Sequence, residues 1–171
     1  MVMRWFFLAT TFILSLSLQC QAQTRPNALR GVSQIQILIE KLDGASTDCG
    51  ITEESIRDAV LYPVSSANLQ ITTRIGQPTL YLRLTTLLIK SISVCVTNIE
   101  IRVYSLQDVT MDFSGKTLFG EVNLWSNGGI FYSNRPDHLR HVTQMIEMLG
   151  QKFVTDWNLD NKPEPKSDHP R

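Results

Sequence analysis

Cys49 and Cys95 are the residues whose chemistry is most legible in this sequence. In an exported chain, two cysteines left after processing pair as a disulfide. The loop they would close spans about 45 residues, and cross-linking such a loop stabilises by roughly 4 kcal/mol on chain-entropy grounds. A C-x-x-C spacing is absent, so a redox role is disfavoured. A zinc site would need more than two thiols without a nearby histidine pair.

Other constellations are weaker. His138 and His141, in "DHLRH", are three residues apart and could share one face of a helix, but no third metal ligand accompanies them. Asp108 and Asp112, or Glu121, could serve as paired carboxylates for glycoside hydrolysis, with His138 as an accessory group. Ser114-Gly115-Lys116-Thr117 resembles the end of a phosphate-binding loop. Thr110 stands where that motif requires glycine, and a strand pattern follows instead of a helix, so a hairpin turn is expected. There is no G-x-S-x-G and no asparagine glycosylation motif. Neither a metal nor a cofactor is expected.

The aromatic residues suggest binding. Phe119 and Trp125 share a parity opposite to Leu118, Val122 and Leu124. If the aliphatic set faces a core, Phe119 and Trp125 lie on the open face of a sheet, joined by Phe131 and Tyr132 beyond the "SNGG" at 126–129. Asn-Gly tolerates positive φ, so 126–129 reads as a turn.

The chain that must position these groups has 171 residues, about one domain. Its hydrophobic content of 43% suits a globular core. Lys+Arg and Asp+Glu number 16 each, so no basic surplus exists to recruit nucleic acid. The N-terminus, "MVMRWFFLATTFILSLSLQCQAQT", carries one charge and then an apolar run from Trp5 to Leu18. With small residues at Cys20 and Ala22, this is the pattern of a secretory signal over 1–22, cut after Ala22. The run is shorter than the ~20 residues a spanning helix requires. No transmembrane segment is expected in the mature chain.

Residues 23–30 are polar and read as a short leader, and 161–171 as a disordered tail. Between them, "GVSQIQILIEKL" alternates as a half-buried strand, with Ile35, Ile37 and Ile39 on one side. Thr52 can cap a following helix whose first turn holds Glu53 and Glu54. Pro63 is expected to kink that helix or end it near Leu61, with Asn68 just past its end. Alternation resumes through 69–75, 79–89 and 94–104, and then through 109–113, 117–125 and 130–133. In the third of these segments Cys95 shares parity with Ile99, Ile101 and Val103, the core side. A last helix from Pro136 to Trp157 shows Leu139, Val142, Ile146, Leu149, Phe153 and Trp157 at steps of three and four, with Gly150 costing about 1 kcal/mol relative to alanine.

The expected fold is α+β: a two-layer sandwich over 31–160, with a mainly antiparallel twisted sheet of four to six strands and two helices on one face, in the order β-α-β-β-β-β-α. The function it suggests is a small exported, non-enzymatic binding or assembly module, periplasmic or secreted. Its partner would be another envelope or extracellular protein, or a glycan, met by the Phe119, Trp125, Phe131 and Tyr132 surface. A small hydrolase or carbohydrate-active enzyme and a small-ligand carrier are the alternatives.

Overall fold

The computed structural model describes residues 27–162. Five strands and three α-helices follow in the order β1 (Gln34–Ile39), α1 (Gly44–Asp48), α2 (Glu53–Ser65), β2 (Gln70–Ile71), β3 (Thr79–Ile89), β4 (Val94–Thr110), β5 (Thr117–Asn134) and α3 (Arg135–Asp160), with a 3-10 turn at Lys90–Ile92 between β3 and β4. Apart from the short α1, this is the expected order. The signal over 1–22 lies outside the described residues, as does the tail beyond 162.

The sheet has the order β2-β1-β3-β4-β5. It is mixed: β1 runs parallel to both β2 and β3, while β3, β4 and β5 are antiparallel neighbours. The parallel step has a simple cause. Between β1 and β3 the chain passes through α2, and a helical crossover returns the next strand in the same direction. Tight turns make the antiparallel steps. At Ser114-Gly115-Lys116 the N–H groups of Ser114 and Gly115 both donate to the Met111 carbonyl, and Gly115 takes a φ of 63°. The phosphate-loop resemblance there is a hairpin turn.

The core lies between one sheet face and helices α2 and α3. Ile35, Leu80, Leu82, Leu84, Ile99, Ile101 and Val103 supply the sheet side. Ile56, Ala59, Val60 and Val64 come from α2, and Val142, Ile146, Leu149, Phe153 and Trp157 from α3. The Thr52 hydroxyl accepts from the Ser55 N–H and caps α2, as its sequence predicts.

Other expectations are corrected. Pro63 does not end α2 near Leu61. The helix continues to Ser65 with Pro63 buried inside its last turn, and the Ser66 N–H bonds the Pro63 and Val64 carbonyls at its end. Asn68 is not left-handed; among the described non-glycine residues only Asn27 and Ser93 have positive φ. The "SNGG" at 126–129 is no turn. It lies mid-strand in β5, paired residue for residue with β4. A Cβ on Gly128 would sit 2.4 Å from the Ile99 carbonyl oxygen, so close backbone approach is what the glycine permits here. Part of the polar leader is docked as well. Leu29 is buried, and the N–H groups of Asn27 and Leu29 donate to the Asp160 carboxylate. Asn161, read as tail, donates to the Leu29 carbonyl and accepts from the Gly31 N–H.

Candidate binding edge

Among the described residues β5 is an outer strand of the sheet, and one of its long sides meets no other described strand. Its hydrogen-bonding pattern can be read from two contacts. The Arg135 N–H reaches the Ser93 carbonyl on the β4 side, whereas the Gly128 N–H turns away and is met by its neighbour's Asn127 Oδ1 at 2.8 Å. In an antiparallel strand these directions alternate. The main-chain groups of Ser126, Gly128, Ile130 and Tyr132 therefore point outward, away from β4. The side chains of Ile130 and Tyr132 are 73% and 77% exposed.

Beside this edge runs α3. Between the two lies a groove of about 330 Å³ lined by Phe131, Tyr132, His141, Gln144, Met145 and Met148. Methionines suit an adaptable apolar wall. Met145 and Met148 belong to no sequence motif. Their spacing of three on α3, beside the core stripe at Val142, Ile146 and Leu149, was the available signal.

The four aromatic residues do not form one surface. Trp125 is 1% exposed and lies on the helix side, its ring against Phe153 at 5.4 Å and its Nε1–H donating to Asp156 at 2.9 Å. The open-face placement of Trp125 is thus corrected. The cause is a β-bulge: Val103 faces Trp125 while Tyr104 faces Asn123, leaving Leu124 as the extra residue. That residue flips the parity between the two halves of β5. Phe119 stays on the other face, 71% exposed. Thirteen residues separate Phe119 from Tyr132, roughly 40 Å of strand. Phe131 is partly buried and stacks on His138 at 5.2 Å.

His138 is not a surface histidine beside His141. It is fully buried, and both ring nitrogens are occupied: Nε2 lies 2.7 Å from Thr97 Oγ1, and Nδ1 lies 2.8 Å from Ser133 Oγ. Thr97 continues to Thr86 at 2.9 Å, and Thr86 accepts from the Ser46 hydroxyl at 2.8 Å. Each hydroxyl has one proton to give. Ser46 donates to Thr86, and the contacts run on from Thr86 to Thr97 and from Thr97 to His138 Nε2, with Ser133 at Nδ1. Burial holds the imidazole below the usual histidine range, and His141 lowers it further. The arrangement is a satisfied polar strut from α1 across the sheet to α3. Asp43 fixes its α1 end, accepting from the N–H of Ser46 and of Thr86. Burial acts to raise the Asp43 carboxyl, but these bonds outweigh it and hold the group below its ordinary value.

The hydrolase constellation is not assembled. Thr97 marks the position of His138 on β4, and Asp108 lies eleven residues further along that strand, roughly 36 Å away. Asp108 and Asp112 are exposed, and Glu121 pairs with Arg102 at 3.0 Å. No cluster of three or more metal-ligating side chains occurs among the described residues.

Cys49 and Cys95 are joined, with 6.1 Å between their Cα atoms, and both are buried. The bridge ties the end of α1, just before α2, to the start of β4. The strut and the bridge thus fasten the same corner of the molecule. No described helix is long and apolar enough to cross a membrane.

The described residues form an α+β sandwich in which the long strand β5 lies at one edge of the sheet. No protein-family model matches the chain, and no curated protein matches it. Among solved structures it is similar to a minor lipoprotein from Acinetobacter baumannii, at 9% identity and a TM-score of 0.38, over 80% of this chain and 99% of that one.

Proposed function

We propose that this chain is a small exported, non-enzymatic binding or assembly module, and that it works through the β5 edge between Ser126 and Tyr132. The partner is an extended segment of another envelope or extracellular protein, added to the sheet as a further strand. The observation that carries this is the outward main chain of β5 beside an apolar groove. Strand addition draws affinity from main-chain bonds and specificity from pockets that take alternate side chains. Here the Gly128 N–H already borrows an acceptor from Asn127. Export over a signal cut near Ala22, to the periplasm or the outside, accords with the Cys49–Cys95 bridge, since disulfides persist in oxidising compartments.

Ile130→Pro tests the mode. Proline removes an N–H that β4 does not use, and edge strands tolerate it. A photo-crosslinker at Tyr132 in the exported protein should give a discrete adduct. Ile130→Pro should abolish that adduct and leave the melting temperature within a few degrees of the parent. An adduct that survives Ile130→Pro would rule out strand addition.

A further inference from the structure

We propose that the groove between α3 and β5 binds a soft monovalent metal ion, copper(I), through His141, Met145 and Met148. The site uses side chains of α3 and none of the β5 main-chain groups that strand addition needs. It goes beyond that reading and stands or falls apart from it.

Met145 is four residues beyond His141, and Met148 is three beyond Met145, the spacings at which side chains on a helix meet. At 3.6 residues per turn the three fall within a sector of about 60° and along about 10 Å of the helix axis. All three line the same groove of about 330 Å³. They lie beside the core stripe of Val142, Ile146 and Leu149 and are not consumed by it. His141 and Met145 are half-buried, and Met148 is 57% exposed.

The two histidines of α3 differ in what they can offer. Both ring nitrogens of His138 are taken, by Thr97 and Ser133. Among the described residues the His141 ring makes no hydrogen bond or ion pair. Its nitrogens are available to a ligand in the groove.

The donor set decides the metal. Thioether sulfur is soft and selects copper(I), and imidazole also suits copper. No carboxylate lines the groove, and Asp137, one turn before His141, pairs with Arg140. Calcium, magnesium and manganese require such oxygen donors. Zinc takes nitrogen, thiolate and carboxylate. Here the thiols of Cys49 and Cys95 are consumed in the bridge. Counted without thioethers, the described residues hold no cluster of three ligands. Phe131 and Tyr132 line the same groove from β5, and aromatic faces attract a cation.

The test adds copper(I), supplied without oxygen as its acetonitrile complex, to the exported protein with isotope-labelled methionine methyls. Nuclear magnetic resonance reads each methyl. Met145 and Met148 should shift together and saturate at one equivalent of metal. Met111, at the β4–β5 hairpin, should stay in place. Zinc(II) at the same concentration should move neither of the α3 methyls. His141→Ala, Met145→Leu and Met148→Leu should each weaken copper(I) binding by about tenfold or more. Leucine keeps the volume of the groove wall, so lost affinity in those variants is not a loss of fold. Ile130→Pro, which blocks strand addition, should leave copper(I) binding unchanged. No shift at either α3 methyl, a shift at only one of them, an equal shift at Met111 or an equal response to zinc(II) overturns the site. So does undiminished affinity in His141→Ala.

Discussion

Gly150 of α3 faces Pro63 of α2 so closely that a Cβ on the glycine would lie 2.5 Å from the proline Cγ. The two residues that look like defects in their own helices are the contact between them. Pro63 gives up a helical N–H in the last turn of α2, and Gly150 gives up helix propensity in the middle of α3. Together they let the helices close over the sheet.

Gly150→Ala should therefore destabilise the protein, although alanine is the better helix former by about 1 kcal/mol. Overpacking against a stiff ring costs about 1–3 kcal/mol. Chemical denaturation should show a net loss of about 1 kcal/mol. Pro63→Ala combined with Gly150→Ala should recover part of it, a coupling that a double-mutant cycle measures.

Cys49→Ala and Cys95→Ala should each cost roughly 4 kcal/mol. The double variant should be no worse than either single one, because the two residues act through one bond. Additive losses in thermal melts would argue against the bridge.

Trp125→Ala should cost about 3–5 kcal/mol, since it empties a buried site against Phe153 and removes a bond to Asp156. Phe119→Ala, on an exposed face, should stay within about 0.5 kcal/mol. Equal losses at both positions would contradict the parity flip at the bulge.

The depressed His138 makes stability depend on pH in one direction. The unfolded imidazole takes up a proton near its ordinary value of 6.5, while the folded one resists it. Between those two points the unfolded state binds more protons, so stability falls as pH falls below about 6.5 and levels off below the folded value. A protonated ring donates from both nitrogens, so Thr97 and Ser133 would both have to accept from it. Denaturant midpoints between pH 8 and pH 5 should fall for the parent, and His138→Gln should flatten that dependence.

Gly128→Ala and Gly129→Ala form a matched pair. A Cβ at 128 meets the β4 backbone, and one at 129 meets nothing within 4 Å. The first should lower the melting temperature by several degrees, the cost of pushing two strands apart. The second should leave it nearly unchanged.

The sequence by itself determined what depends on local period and composition. Alternation at Ile35, Leu80–Leu84 and Ile99–Val103 located strands and their buried faces, because side chains on a strand change sides at every residue. The three-and-four spacing from Val142 to Trp157 located α3. The parity of Cys95 put that cysteine in the core, within reach of a partner. Only the tertiary structure decided what depends on neighbours distant in the chain. The bulge at Leu124 moved Trp125 to the core, and parity counted along one strand cannot register a residue that has no partner in the next. Pairing with β4 drew 126–129 into a strand, because the ladder and the close approach at Gly128 outweigh the local preference of Asn-Gly for a turn. In the sequence His138 is one of two histidines three apart that could share a helix face. Thr97 and Thr86, on other strands, made it the buried end of a strut. The edge position of β5 could not be read from its own residues, because a strand lies at the edge of a sheet only by virtue of where every other strand has gone.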